Sequence, residues 1–83
     1  MDDFLVDFIL LGSIIRKFRE QDGRSQLQFA LDANLGKSFY GRVENGEHKI
    51  SVETLARISY TLNVPMYRIL DEYDHKYKKM YNL

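Results

Sequence analysis

The chain has 83 residues, 45% of them hydrophobic, with no cysteine and with twelve basic side chains against twelve acidic ones. That predicts a single ordered domain over residues 1–83 with a modest core, and it excludes disulfides, thiol chemistry and the usual cysteine-based zinc sites. A net charge of zero argues at first against a nucleic-acid partner, because affinity for DNA rests largely on lysines and arginines that displace counterions.

The most apolar run, Phe4 to Ile15, is broken by Asp7 and Gly12, lacks a basic leader and is too short to span a bilayer, so it reads as buried helix. The first helix is predicted from about Phe4 to Glu20, with Phe4, Phe8, Leu11, Ile15 and Phe18 as its core stripe and Gly23 as its end. Ser25 is placed to cap a second helix over about Gln26 to Ala33, and a third covers about Lys37 to Glu44. Asn45-Gly46 is a turn signal. Ser51 caps a fourth helix whose Val52, Leu55, Ala56, Ile58 and Leu62 form an apolar face down to a stop at Asn63. Pro65 suits the first turn of a fifth, where its missing N–H costs nothing. Met66, Ile69, Leu70, Tyr73, Tyr77 and Tyr81 keep helical spacing to the end of the chain, although DHKYKKMYN is polar enough to fray. The fold class is all-α with five helices.

Within QLQFALDANLGKSFYGRVE, residues 26–44, the second and third helices are separated by a tight turn. Ala30 supplies the small side chain that a close helix crossing needs, Asn34 tolerates the left-handed backbone of the turn, and Leu35 plugs its corner. This is the pattern of a helix-turn-helix. It resembles the Xre family of lambda-repressor-like DNA-binding regulators. LGSIIRKFRE before the motif and ENGEHKISVETLARISYTLNVPMYRIL after it are similar too, so the likeness covers about Leu11 to Leu70. Asn34 in place of the usual glycine and Gly41 within the third helix depart from the family pattern; the glycine weakens that helix by about 1 kcal/mol relative to alanine.

The resemblance implies that the third helix lies in the major groove of operator DNA. Lys37, Ser38 and Arg42 then stand at base-contacting positions, with arginine's fork suited to the N7 and O6 of guanine. Gly36 and Gly41 allow close approach, and Phe39 either touches a thymine methyl or sugar or belongs to the core. Gln26 at the start of the second helix and Asn45, His48 and Lys49 in the loop after the third are placed for phosphates. Arg19 and Glu44 stand where the family has a pair that ties the first helix to the recognition helix and presents the guanidinium to a phosphate. Tyr40 takes an inward position usually held by an aliphatic residue, so its hydroxyl needs a partner.

The charge distribution is compatible with this. Residues 1–15 carry −3, residues 16–49 carry +2 and residues 50–83 carry +1, a small excess that favours a homodimer to double the contacts. Met66, Ile69, Tyr73, Tyr77 and Tyr81, joined by Phe4, Leu5 and Phe8, are the candidates for its interface; the competing role for the tyrosine tail is to cover its own core. No phosphate loop, nucleophile elbow or paired-histidine motif is present, and Asp71 and His75 read as a solvated pair, so no enzyme, metal or cofactor is expected. The expected protein is a cytoplasmic, nucleoid-associated regulator of the controller, phage or plasmid repressor, or antitoxin kind. The rival reading is a protein-interaction module on the same scaffold, with an unidentified protein partner and weak or no specific DNA binding.

Overall fold

The computed structural model describes residues 5–83, and within them the chain forms five helices and no strand. They are α1 (Phe8–Asp22), α2 (Gln26–Asp32), α3 (Lys37–Glu44), α4 (Val52–Leu62) and α5 (Met66–Met80). α1 is the central element and packs on α3, α4 and α5, while α2 packs on α3 and α4 on α5.

Local chemistry sets the helix ends. Ser25 and Ser51, both in extended conformation, accept hydrogen bonds from the amides of Gln28 and Thr54. Gly23 (φ 97°), Asn34 (φ 58°) and Asn63 (φ 61°) take the left-handed backbone after α1, α2 and α4. α1 begins at Phe8, four residues later than the apolar run suggested. The reason is Asp7, whose carboxylate accepts from the Leu10 amide and so caps the helix instead of interrupting it. Pro65 is likewise the N-cap of α5, just outside the helix.

Leu10, Leu11, Ile14 and Ile15 of α1, Phe29, Ala30 and Ala33 around α2, Tyr40 and Val43 of α3, Leu55, Ile58 and Leu62 of α4 and Ile69 of α5 form one core. Burying each large aliphatic or aromatic side chain there contributes about 1.5–3 kcal/mol. Phe8 and Phe18 pack at its edge, and Phe4 lies outside the described residues. Val52, expected on the buried face of α4, is 73% exposed; the inward stripe starts at Leu55 and takes in Ser59, whose hydroxyl is satisfied by the Ala56 carbonyl at 3.0 Å.

A second close approach, between α1 and the end of α3, is made at Gly12. A Cβ built on Gly12 would collide with the Val43 carbonyl oxygen and lie 2.6 Å from that of Glu44, so only glycine lets α1 pass the end of α3 at this distance. Gly46 (φ 79°) likewise leaves room for the Ile9 backbone.

α5 continues as one helix through the polar tail, with ion pairs Lys76–Glu72 and Lys78–Asp74 along its surface. Tyr73, Tyr77 and Tyr81 form a row of ring contacts at 5.6 and 4.7 Å. The row is turned towards its own domain: the Tyr73 hydroxyl accepts from the Asp7 amide at 2.9 Å, and Tyr73 and Tyr77 pack on the core. Ile69, named among the interface candidates, is fully buried and has no surface to offer a second copy.

Candidate nucleic-acid interface

The turn between α2 and α3 is built from backbone. The Leu35 amide donates to the Ala30 carbonyl at 2.8 Å, Asn34 reverses the chain, and Gly36 enters α3 extended, with no side chain capping the helix start. Gly36, Lys37, Ser38 and Arg42 are exposed, whereas Tyr40, Val43 and Glu44 are buried. Helical spacing therefore puts Ser38, Gly41, Arg42 and Asn45 on one outward side of α3. Gly41 is half-buried, and a Cβ there would meet the Gln26 carboxamide oxygen at 3.6 Å, an ordinary contact. Phe39 is half-buried and packs both on the core and on the His48 ring, 4.9 Å between centroids.

The buried end of α3 is organised by Glu44. Its side chain is 0% exposed, a position a carboxylate occupies only when it is paired and hydrogen-bonded. Arg19 supplies Nε at 2.6 Å to Oε2 and Nη2 at 3.1 Å to Oε1. Gln26 donates its amide at 2.8 Å and Arg16 its Nε at 3.3 Å to Oε1. The Tyr40 hydroxyl donates to Oε2, which is the partner that phenol required. One carboxylate thus joins α1, α2 and α3.

Burial alone would push the Glu44 carboxyl up, but the hydrogen bonds from Arg19, Tyr40 and Gln26, with the charge of Arg19, outweigh it and hold the group below the usual carboxylate range. Burial, then the bond to Glu44, pushes the Tyr40 phenol well above its ordinary value. The hydrogen bond to Glu44 holds the Arg19 guanidinium above its own.

The two arginines at this hub differ in what they offer outward. Arg19 spends Nη1 on the Arg24 carbonyl at 2.9 Å, and its side chain is only 11% exposed. Arg16 is 43% exposed and is held from two sides, by Glu44 and by the Asn45 carboxamide oxygen at 3.0 Å. Arg16 is the residue the sequence reading missed. It falls three positions before Arg19, on the same side of α1, and that spacing was the available signal. Arg24 is taken up internally by Asp22, Asp32 and the Thr61 carbonyl. Lys37, Lys49 and Arg42 remain exposed around α3. Arg42 donates Nε to the His48 Nε2 at 3.0 Å.

Among the described residues no cluster fit for a metal ion occurs, and no helix is long and apolar enough to cross a membrane.

The helix-turn-helix family model HTH_3 matches residues 15–69. The HTH-type transcriptional regulator SlrR of Bacillus subtilis (strain 168) is 33% identical over 72 residues, which make up 86% of this chain and 47% of SlrR, so the chain spans about half that relative's length. Control protein C.MunI of Mycoplasma sp is 29% identical over 73 residues, 87% of this chain and 95% of that protein. The crystal structure of the restriction-modification controller protein C.AhdI from Aeromonas hydrophila aligns with a TM-score of 0.74 at 25% identity, covering 78% of this chain and 98% of its own. The clp gene regulator ClgR from C. glutamicum shares the fold, with a TM-score of 0.79 at 23% identity over 89% of this chain and 95% of its own.

Proposed function

The chain belongs to the Xre-like helix-turn-helix family HTH_3, and on that premise we propose that it is a sequence-specific regulator that sets α3 in the major groove of operator DNA as a homodimer. The observation that carries this reading is the contrast across α3: an inward side locked by the Glu44 hub and an outward side that leaves Lys37, Ser38 and Arg42 exposed. A reader held rigid on one side and free on the other meets bases without first losing backbone entropy.

Lys37, Ser38 and Arg42 contact bases, and Gly36 and Gly41 let the backbone come close. Gln26, Asn45, Lys49 and Arg16 contact phosphates and set register; Arg19 acts mainly by holding Glu44. One short helix reads only a few base pairs, so two copies reading half-sites about 34–36 Å apart make the specific complex. With Ile69 buried and Tyr73 and Tyr77 packed on the core, the dimer face shifts to the corner of α4 and α5, where Tyr60, Tyr67 and Leu70 are exposed. The unit is a single domain, and it acts in the cytoplasm on the nucleoid.

The test is selection from random duplex DNA at near-physiological salt. The expected result is an enriched motif with two half-sites about one turn apart, lost in the Lys37→Ala/Arg42→Ala double variant. Binding without enrichment that vanishes at modest salt would overturn the reading and favour a protein-interaction module.

A further inference from the structure

We propose that His48 is a positioning residue that holds Arg42 in its base-reading pose while the imidazole is neutral, making sequence discrimination pH-sensitive.

The geometry assigns the roles. Arg42 Nε is a donor only, so the His48 Nε2 that receives it at 3.0 Å is a lone pair, and the imidazole proton sits on Nδ1. Nε2 is thus occupied as an acceptor, and Nδ1–H is the donor the neutral ring keeps. The ring is held in turn by the Phe39 ring at 4.9 Å, one helical turn before Arg42 on the same helix. The loop is closed onto α3 by the Glu47 amide, which donates to the Arg42 carbonyl at 2.9 Å. With Nε fixed, Arg42 keeps both terminal nitrogens for a bidentate contact with guanine. Phe39 and His48 thus form a bracket that selects one orientation of a long, otherwise mobile side chain.

Protonation inverts the arrangement. Nε2 becomes a donor, the lone pair is gone, and a second cation stands against the guanidinium. The charged group bonded to the imidazole is Arg42 from α3, and Glu47 and Lys49 flank His48 in the loop sequence; among the described residues no charged group of α1, α2, α4 or α5 bonds to it. The Glu44 carboxyl is held below the usual carboxylate range, so it stays ionised through the window in which a histidine gains its proton.

The inference rests on the reading of α3 as a DNA-recognition helix. Its test compares affinity for the selected operator with that for an operator altered at the one base pair whose discrimination Arg42→Ala removes. The comparison is run from about pH 8 down to about pH 5.5, with thermal unfolding as a check on folding. Wild type should discriminate about tenfold more strongly at the upper end than at the lower. His48→Ala should be weak and flat with pH. His48→Gln keeps an acceptor oxygen that does not titrate, and it should restore discrimination and stay flat.

Operator affinity that rises as pH falls, with His48→Ala weakening all sequences equally, would make His48 a phosphate contact and overturn the proposal. A flat wild-type profile with Arg42→Ala still losing its base would overturn it while leaving α3 as the reader. No discrimination at any pH would overturn both.

Discussion

The two ends of α1 are fastened by opposite means. At its middle and C-terminal half, Gly12 lies against the α3 backbone, and Arg16 and Arg19 meet the buried Glu44. At its N-terminus, Asp7 is gripped by Tyr73 and Tyr81 from the far end of α5, in partly exposed bonds of 2.9 and 3.5 Å. The first junction holds α3 and tolerates no vacancy, because a buried charge left unpaired costs far more than the pair itself contributes. The second is assembled at the surface, where water replaces a lost partner cheaply.

Substitutions should separate the two junctions. Glu44→Ala leaves Arg16, Arg19, Gln26 and the Tyr40 hydroxyl without their shared acceptor and should lower unfolding stability by about 3 kcal/mol, read by urea titration. A loss below about 1 kcal/mol would mean that the hub is no more than a surface pair. Gly12→Ala puts a methyl group against backbone oxygens that no rotamer change can move. It should destabilise by about 1–3 kcal/mol in spite of alanine's better helix propensity of about 1 kcal/mol. The same variant should weaken operator binding by more than its stability loss accounts for, because α3 must shift.

Tyr40→Phe removes one of two donors to Oε2 and should cost about 1 kcal/mol. It should also raise the pH at which acid unfolding begins. Since the Glu44 carboxyl is lowered in the folded state, its stabilisation is complete above the ordinary carboxylate range and is lost as pH falls through the lowered value. Weakening the hub brings that loss to higher pH. At the other junction Asp7→Ala removes a helix cap and the acceptor for Tyr81; about 1 kcal/mol is expected, with operator affinity of the folded protein unchanged. A loss of DNA affinity there would show that the tail is coupled to the recognition helix.

The third helix was legible residue for residue, Lys37 to Glu44, and so were the caps at Ser25 and Ser51, the helix stops at Gly23 and Asn63 and the left-handed turn at Asn34. The start of α1 is not legible from the apolar run, in which Asp7 reads as a polar break; its side chain and the amide three residues on make it a cap. The site was legible in outline, through Arg19, Glu44 and the exposed side of α3, but Arg16 and the Arg42–His48 contact were not.

Sequence by itself determined the number and kind of helices, the serine caps of α2 and α4, the turns, and which side of α3 faces outward, because each depends on side chains within about one helical turn of one another. Tertiary structure alone decided that Gly12 is the crossing point, that Glu44 gathers donors from three helices, and that the tyrosine row closes over the start of α1. Those choices join positions far apart in the chain, where no local periodicity records which groups will meet. They follow from the requirement that a buried carboxylate and a buried backbone find partners when the helices pack.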